Sequence, residues 1–478
     1  MKRISLGIFL TVALLAFSVA GFAEKKPYEG VTVTWLTGAG HNQIACAINK
    51  EHIKEVLGIT IDQIIEPDNL HYELAMKDWV AGGGSYDMLT LHPRWNGELM
   101  EGYLLPLNKY IDKFNAWDDY NDIMETYREL YCERGGKVYG FVQDGDVATM
   151  YYRKDILGNP EYQKKFKEKY GYDMPVPPQT WDHLIDVAGF FTGWDWDKDG
   201  ENEFGLNFHP WRRDDMEASF LPIWGSVSGG KVLFDENMRP LINSDDGLKT
   251  LALQKKLLDY MPPGFISFTW SETFASFIEG TVAISLSYPD IGRLILNEGT
   301  FGGAGGLQNK GKIGYAAWPA TFLGGEPFRY NSMCHGRIIG ISSFAKNPEA
   351  AFAALLEVCK KERSILHVSN VDSGSDPFAY SHMDLANWTI NVEEEFLKAH
   401  VKNMGYGYPE PLIPGLAEYY EILRIEVHGF LAGEKDAKTA LANVERGWND
   451  ITERLGLDKQ KKAWRGTLEI LRGLGFKV

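Results

Sequence analysis

The first clear pattern along the chain is a two-residue alternation. In "GVTVTWLTGAG", Val31, Val33 and Trp35 alternate with threonines, as on a half-buried strand. The turn "TGAGH" follows, and then a helical-looking run, "NQIACAINKEHIKEVLG", which Gly58 ends. A second strand, "ITIDQIIEP", a helix, "HYELAMKDWVAGGG", and a third strand, "YDMLTLHP", continue the series. This alternation predicts an α/β unit with a mainly parallel sheet. "KVYGFVQDGDVATMYYRKDIL" reads as two strands joined at "DGD". Past residue 150 the character changes to Pro-rich and charged helical segments, which marks one domain border. "EGTVAISLSYPDIG" predicts a strand ending in a turn at Pro289 and marks a second border. Short strands return between "GKIGYAAWPA" and "GRIIGISSFA". "NPEAAFAALLEVCKKE" then predicts a helix opened by Asn347–Pro348, and the C-terminal part is helical.

The first 23 residues break the pattern. Lys2 and Arg3 precede an apolar stretch that ends in small residues, Gly21 and Ala23, as a cleaved export signal does. No cysteine follows it for lipid attachment, so a soluble periplasmic protein is expected, cut near Ala23. The remaining chain, about 455 residues, calls for two or more domains. The whole chain carries 65 acids against 49 bases, and losing the leader takes the net charge from −16 to about −18. Such a surface repels phosphate backbones, so nucleic acid is not expected as a partner. The cysteines at 46, 132, 334 and 359 lack C-x-x-C spacing, and neither zinc nor thioredoxin chemistry is supported. Disulfides and buried free thiols both stay open. The 14 tryptophans and 23 tyrosines fill a core or form stacking surfaces for sugar rings.

"YDMLTLHPRWNGELMEGYLLPLNKYI" resembles the third-strand region of the extracellular solute-binding proteins of ABC sugar importers, the maltose-binding-like group. "GGKVYGFVQDGDVATMYYRKDIL" and "TFASFIEGTVAISLSYPD" resemble the family's two crossovers between lobes. "GISSFAKNPEAAFAALLEVC" resembles the next strand and helix, and "GLAEYYEILRIEVHGFLAGEKDAKTALANVERGWNDITERLG" the C-terminal helices. Five such segments in family order span nearly the whole chain after the leader. The resemblance implies a two-lobed α/β binding fold of the type II periplasmic class, with hinge crossings and helices flanking two mainly parallel-core sheets. One lobe would comprise residues 24–145 and 290–360, the other 146–289 and 361–478. It also implies a monomer that closes on a sugar or polyol and presents it to ABC permease subunits. Many relatives have Gly-Gly ahead of "RIIGISS", where this chain has His335 and Gly336.

Sugar capture needs carboxylates and amides for hydroxyls, guanidinium groups for ring oxygens and flat rings for C–H faces. Loops at strand ends should supply them. The first-strand loop offers His41, Asn42 and Gln43, and the third-strand loop His92, Arg94 and Trp95. Asp144 and Asp146 stand at the first crossing. Trp211, Arg212, Trp224, Trp270 and Tyr288 are candidate contacts, and Asp290 follows the second crossing. Asn331, His335, Arg337, Asp376 and Trp388 complete the set. The rival reading is an exported carbohydrate hydrolase using two carboxylates, such as Asp144 and Asp146. The chain has no G-x-S-x-G elbow and no H-E-x-x-H, so binding without catalysis is the expectation. Whether a captured sugar also feeds chemotaxis stays open.

One stretch falls outside that scheme. "DWDKDGENEFG" places Asp195, Asp197, Asp199, Glu201 and Glu203 at positions 1, 3, 5, 7 and 9 of an EF-hand-type calcium loop, with Gly200 at position 6. Glu201 would act through its backbone carbonyl. Position 12 is Leu206 rather than a bidentate glutamate. Asp214, Asp215 and Glu217 are the nearest acids to complete a structural Ca2+ site on the second lobe.

Overall fold

The protein is described by a computed structural model covering residues 25–100, 102–212, 216–299, 305–333 and 335–476. The leader expected at residues 1–23 lies outside the described residues.

Two sheets, each with its own apolar core, define two lobes. The first-lobe sheet contains β1 (Thr32–Gly38), β2 (Thr60–Glu66), β3 (Met88–Leu91) and β4 (Gly140–Asp144). The second-lobe sheet contains β5 (Thr149–Arg153), β6 (Phe204–Asn207), β7 (Val282–Ser287) and β8 (Ile313–Ala316). The chain then returns, and β9 (Arg337–Ile341) completes the first sheet. The first sheet has the order β2-β1-β3-β9-β4, with β1, β2 and β3 parallel and β9 antiparallel to both neighbours. The second has the order β8-β5-β7-β6, in which only β6 and β7 run parallel. The first sheet matches the parallel expectation in part; the second is mostly antiparallel.

The predicted elements of the first lobe form where the alternation placed them. The helix after β1 runs Ile44–Leu57 and ends on Gly58 at φ 79°, a left-handed cap that a side chain resists. β3 is buried along its whole length, as the central strand of a covered sheet should be.

The lobe borders differ from the expectation at the second crossing. After β7 the chain stays in the second lobe: Ile291, Leu294, Ile313 and Trp318 belong to its core, and β8 to its sheet. The return to the first lobe comes near residue 333, since Met333 already packs in the first core. Ile365, Val368, Phe378 and Ala379 also pack there, although residues beyond 360 were expected in the second lobe. The turn at Pro289 reads like a crossing because it ends a strand, yet it opens only a short helix, Asp290–Leu294.

A helix that the alternation does not reveal, Met216–Ser228, crosses the second core. All thirteen of its residues are buried, so it has no polar face to create a helical period. The cysteines at 46, 132 and 359 are buried free thiols, and Cys334 lies outside the described residues.

Candidate ligand-binding site

The ends of β1, β4 and β7 and the start of β9 converge on one small cavity between the lobes. Its lining includes His41, Asp144, Asp146, Trp270, Tyr288, Asp290, His335 and Arg337, eight of the positions expected from sequence. Phe274 and Gly374 complete it, and neither was expected.

Carboxylates dominate the polar wall. Atoms of Asp144, Asp146 and Asp376 all lie within 4.8 Å of one another, and all three residues are buried. Close packing at "DGD" requires Gly145, because a Cβ there would stand 2.3 Å from the Pro377 carbonyl oxygen. Asp144 accepts the Asp376 backbone N–H at 2.7 Å and Arg337 Nη1 at 2.5 Å. Burial raises the Asp144 carboxyl to about 6, with Arg337 opposing. Burial, then Asp144 and Asp376, push Asp146 well above its usual range. Burial, then Asp290, do the same to Asp376.

The two arginines beside these acids are committed to protein partners. Arg337 donates through Nε and Nη2 to Asp68 Oδ2, at 3.0 Å each, and through Nη1 to Asp144. Arg293 donates to Asp376 Oδ1 and Asp290 Oδ1, both at 2.7 Å. Asp68 is the central anchor, and sequence reasoning passed over it. It also bonds Asn42 Nδ2 at 3.1 Å and His92 Nε2 at 3.0 Å. Burial opposes its ionisation, yet Arg337 and His92 hold its carboxyl well below the usual range. Its position in "EPDNL" after β2 reads as a plain turn, which hid it.

Aromatic groups form the other wall. The His41 ring, from the first lobe, meets Trp270 of the second edge-on at 4.8 Å. Tyr288 lies 4.7 Å from His209 and 5.6 Å from His335. A Cβ on Gly374 would stand 2.0 Å from His41 Cδ2, so only glycine fits under that ring. Burial lowers His41 to about 3, and His335 is also held low, by burial and by Arg94. Both rings are neutral near pH 7. His335 sits at φ 78°, a left-handed conformation that costs a non-glycine residue about 1–3 kcal/mol. That conformation is why glycine suits the position, and here an imidazole occupies it.

Other candidates serve the frame rather than the cavity. Arg94 crosses between lobes: it donates to Glu217 Oε1 at 3.1 Å and lies 2.6 Å from His335 Nδ1. Glu217 also holds Arg424, forming a buried triad. Glu217 is therefore not free to finish the acidic loop, which corrects that expectation. Asp214 and Asp215 lie outside the described residues. Asn42 and His92 brace Asp68, and Trp95 packs on Tyr72 beside a separate cavity. Asn331 is buried and accepts the Trp318 N–H. Trp224 is a core residue whose Nε1 donates to the Lys231 carbonyl. Trp388 packs against both cores, its Nε1 donating to the His382 carbonyl. Trp211 and Arg212 are not part of the cavity lining. In the acidic loop, atoms of Asp195, Asp197, Asp199 and Glu203 gather within 4.8 Å, without the Glu201 side chain.

Two lobes, crossings between them and a polar, aromatic-walled cavity at strand ends define a solute-binding protein of the periplasmic type. The chain belongs to the bacterial extracellular solute-binding protein family, whose model matches residues 81–388. It is similar to a probable amino-acid ABC transporter periplasmic-binding protein of Sinorhizobium fredii, 24% identical over 324 residues, covering 67% of this chain and 69% of the relative. Among solved structures, an ABC transporter solute-binding protein from Agrobacterium radiobacter in complex with ribitol has a TM-score of 0.72 at 22% identity, over 89% of this chain and 100% of that one. One from Agrobacterium vitis with bound D-mannitol has a TM-score of 0.67 at 21% identity, over 89% and 99%. These structures establish the two-lobed type II fold.

Proposed function

We propose that the protein captures a small, neutral, hydroxyl-rich solute and hands it to the permease subunits of an ABC importer from the periplasm, after cleavage of its leader near Ala23. The solute class is a monosaccharide or an acyclic polyol. The observation that carries this reading is the polarity of the cavity wall: Asp144, Asp146 and Asp290 line it, while Arg337 is already bonded to Asp68 and Asp144. Carboxylates accept hydroxyl protons, and committed arginines offer no clamp for a ligand carboxylate. An amino acid, the solute class in the name of the Sinorhizobium relative, lacks its usual anchor here. The rings of Trp270 and Tyr288 suit C–H faces. Ribitol and D-mannitol, the ligands in the two Agrobacterium structures, are acyclic polyols of this kind.

Calorimetry against a panel of pentitols, hexitols, monosaccharides, maltose and amino acids tests the proposal. Saturable binding of one polyol or monosaccharide, with the ligand recovered unchanged by mass spectrometry, is expected. Binding confined to amino acids would overturn the ligand class. Steady conversion of a sugar would favour the hydrolase reading instead.

A further inference from the structure

The acidic loop at residues 195–205 lies away from the cavity, at the opposite end of β6 and β7. β6 begins at Phe204, directly after the last acid of the loop, Glu203, and runs toward His209, which contacts Tyr288 of the cavity. The loop is wound inward by its own aspartates. Asp195 accepts the backbone N–H groups of Lys198 at 2.5 Å and Gly200 at 3.1 Å. Asp197 accepts Asp199 N–H at 3.2 Å, and Asp199 accepts Glu201 N–H at 2.8 Å. These bonds shape the turn but do not require a ligand.

Glu203 does point to one. It is only 3% exposed. One carboxylate oxygen, Oε2, accepts the Trp196 N–H at 2.8 Å. The other, Oε1, is buried with no hydrogen-bond partner among the described residues. Glu203 nevertheless shares the carboxylate cluster with Asp195, Asp197 and Asp199. Burial raises its carboxyl above the usual range, Trp196 N–H opposes this, and the three aspartates add to the rise. A buried carboxylate oxygen is costly to leave unpaired, and more so when charged.

We propose that this loop binds one Ca2+, with Glu203 at position 9 closing the site in place of the missing position-12 glutamate. Leu206 cannot serve: it is fully buried in the second core. The donors are Asp195, Asp197, Asp199 and Glu203, joined by the Glu201 carbonyl at position 7, with water completing the shell. An all-oxygen set excludes zinc as the preferred ion. Carboxylates able to bind through one or both oxygens, with a carbonyl and water, suit the flexible six- to eight-oxygen shell of calcium better than the rigid octahedron of magnesium. With no bidentate glutamate at position 12, the affinity falls in the weaker range of extracellular modules, about 10⁻⁴–10⁻³ M. The site does not depend on which solute the cavity takes.

The test uses the metal alone on chelator-treated protein. Trp194 and Trp196 flank the loop and should sensitise Tb3+ luminescence on excitation of tryptophan. One saturating Tb3+ site, displaced by excess Ca2+ and not by equal Mg2+, is expected. Asp197→Ala with Asp199→Ala, both at exposed positions, should abolish the signal with circular dichroism unchanged. Glu203→Gln should weaken Ca2+ at least tenfold, and should raise the Tm of the metal-free protein. The proposal fails if the parent gives no saturable signal. It also fails if the double variant binds as the parent does, which would mark a diffuse counter-ion atmosphere around a solvated turn.

Discussion

The molecule holds two tight clusters of carboxylates, and they solve the same electrostatic problem in different ways. Asp144, Asp146 and Asp376 crowd the cleft, and Asp195, Asp197, Asp199 and Glu203 crowd the loop. In the cleft, Arg337 pairs Asp144 and Arg293 pairs Asp376, so part of the charge is balanced before any ligand arrives. In the loop the four carboxylates make no ion pair among the described residues, and balance must come from solution. The cleft therefore favours neutral hydroxyl donors, whereas the loop favours a cation. Acidic density alone does not distinguish the two; the position of the guanidinium groups does.

The strongest way to break this contrast is to remove the built-in balance. Arg337→Met would leave the buried Asp144 and the part-buried Asp68 without their partner, at a cost of about 3 kcal/mol in a urea unfolding titration. Solute binding should be lost with it. Acidification should come next. Asp144 is raised to about 6, so the folded state keeps a proton that the unfolded state releases above about 3.8. The contribution of Asp144 to stability is therefore greatest below pH 4 and declines by up to about 3 kcal/mol as pH rises to 6, then levels off. A hydroxyl-donating solute prefers the ionised form and must displace the proton. Its affinity should rise about fivefold from pH 5 to pH 6 and about twofold more toward pH 7. Calorimetry in two buffers of different ionisation enthalpy should show proton release at pH 5. His41 and His92, both lowered to about 3, stay neutral in the folded protein and add no step to solute affinity, though each favours folding more as pH rises toward the ordinary value of 6.5.

A smaller effect sharpens the comparison. Asp146→Asn should lower solute affinity by about 1.5–3 kcal/mol, some 10- to 150-fold, and leave Tm unchanged or higher, since burial and the neighbouring acids already disfavour its ionised form. The smallest effect belongs to the loop. Without calcium, Asp199→Asn should raise stability by no more than about 0.5 kcal/mol, as expected for an exposed like-charge contact. An equally small effect of Arg337→Met would erase the distinction between the clusters.

The strands and the first crossing segment are legible because alternation and turn residues are local signals. The acids at "DGD" and the basic position ahead of β9 followed from where such loops must lie. Three features were hidden for physical reasons. Met216–Ser228 is buried on every side and so shows no helical period, and with it Glu217 went unrecognised as a cross-lobe partner. Asp68 anchors Arg337 from a turn whose residues read as ordinary punctuation. Tryptophans were read too readily as stacking surfaces. Trp224 and Trp388 each satisfy their ring N–H on a backbone carbonyl, the usual requirement for a packed indole. The second crossing was placed at Pro289 because a strand ends there, but a strand can end without leaving its lobe.

The buried triad of Arg94, Glu217 and Arg424 also bears on the medium in which the protein works. Mobile ions screen exposed charges over about 8 Å at physiological salt, and buried pairs much less. Arg94 and Glu217 join the lobes from positions 6% and 0% exposed. This contact between the lobes is therefore insulated from ionic strength, a useful property outside the cytoplasm, where the cell does not set the salt.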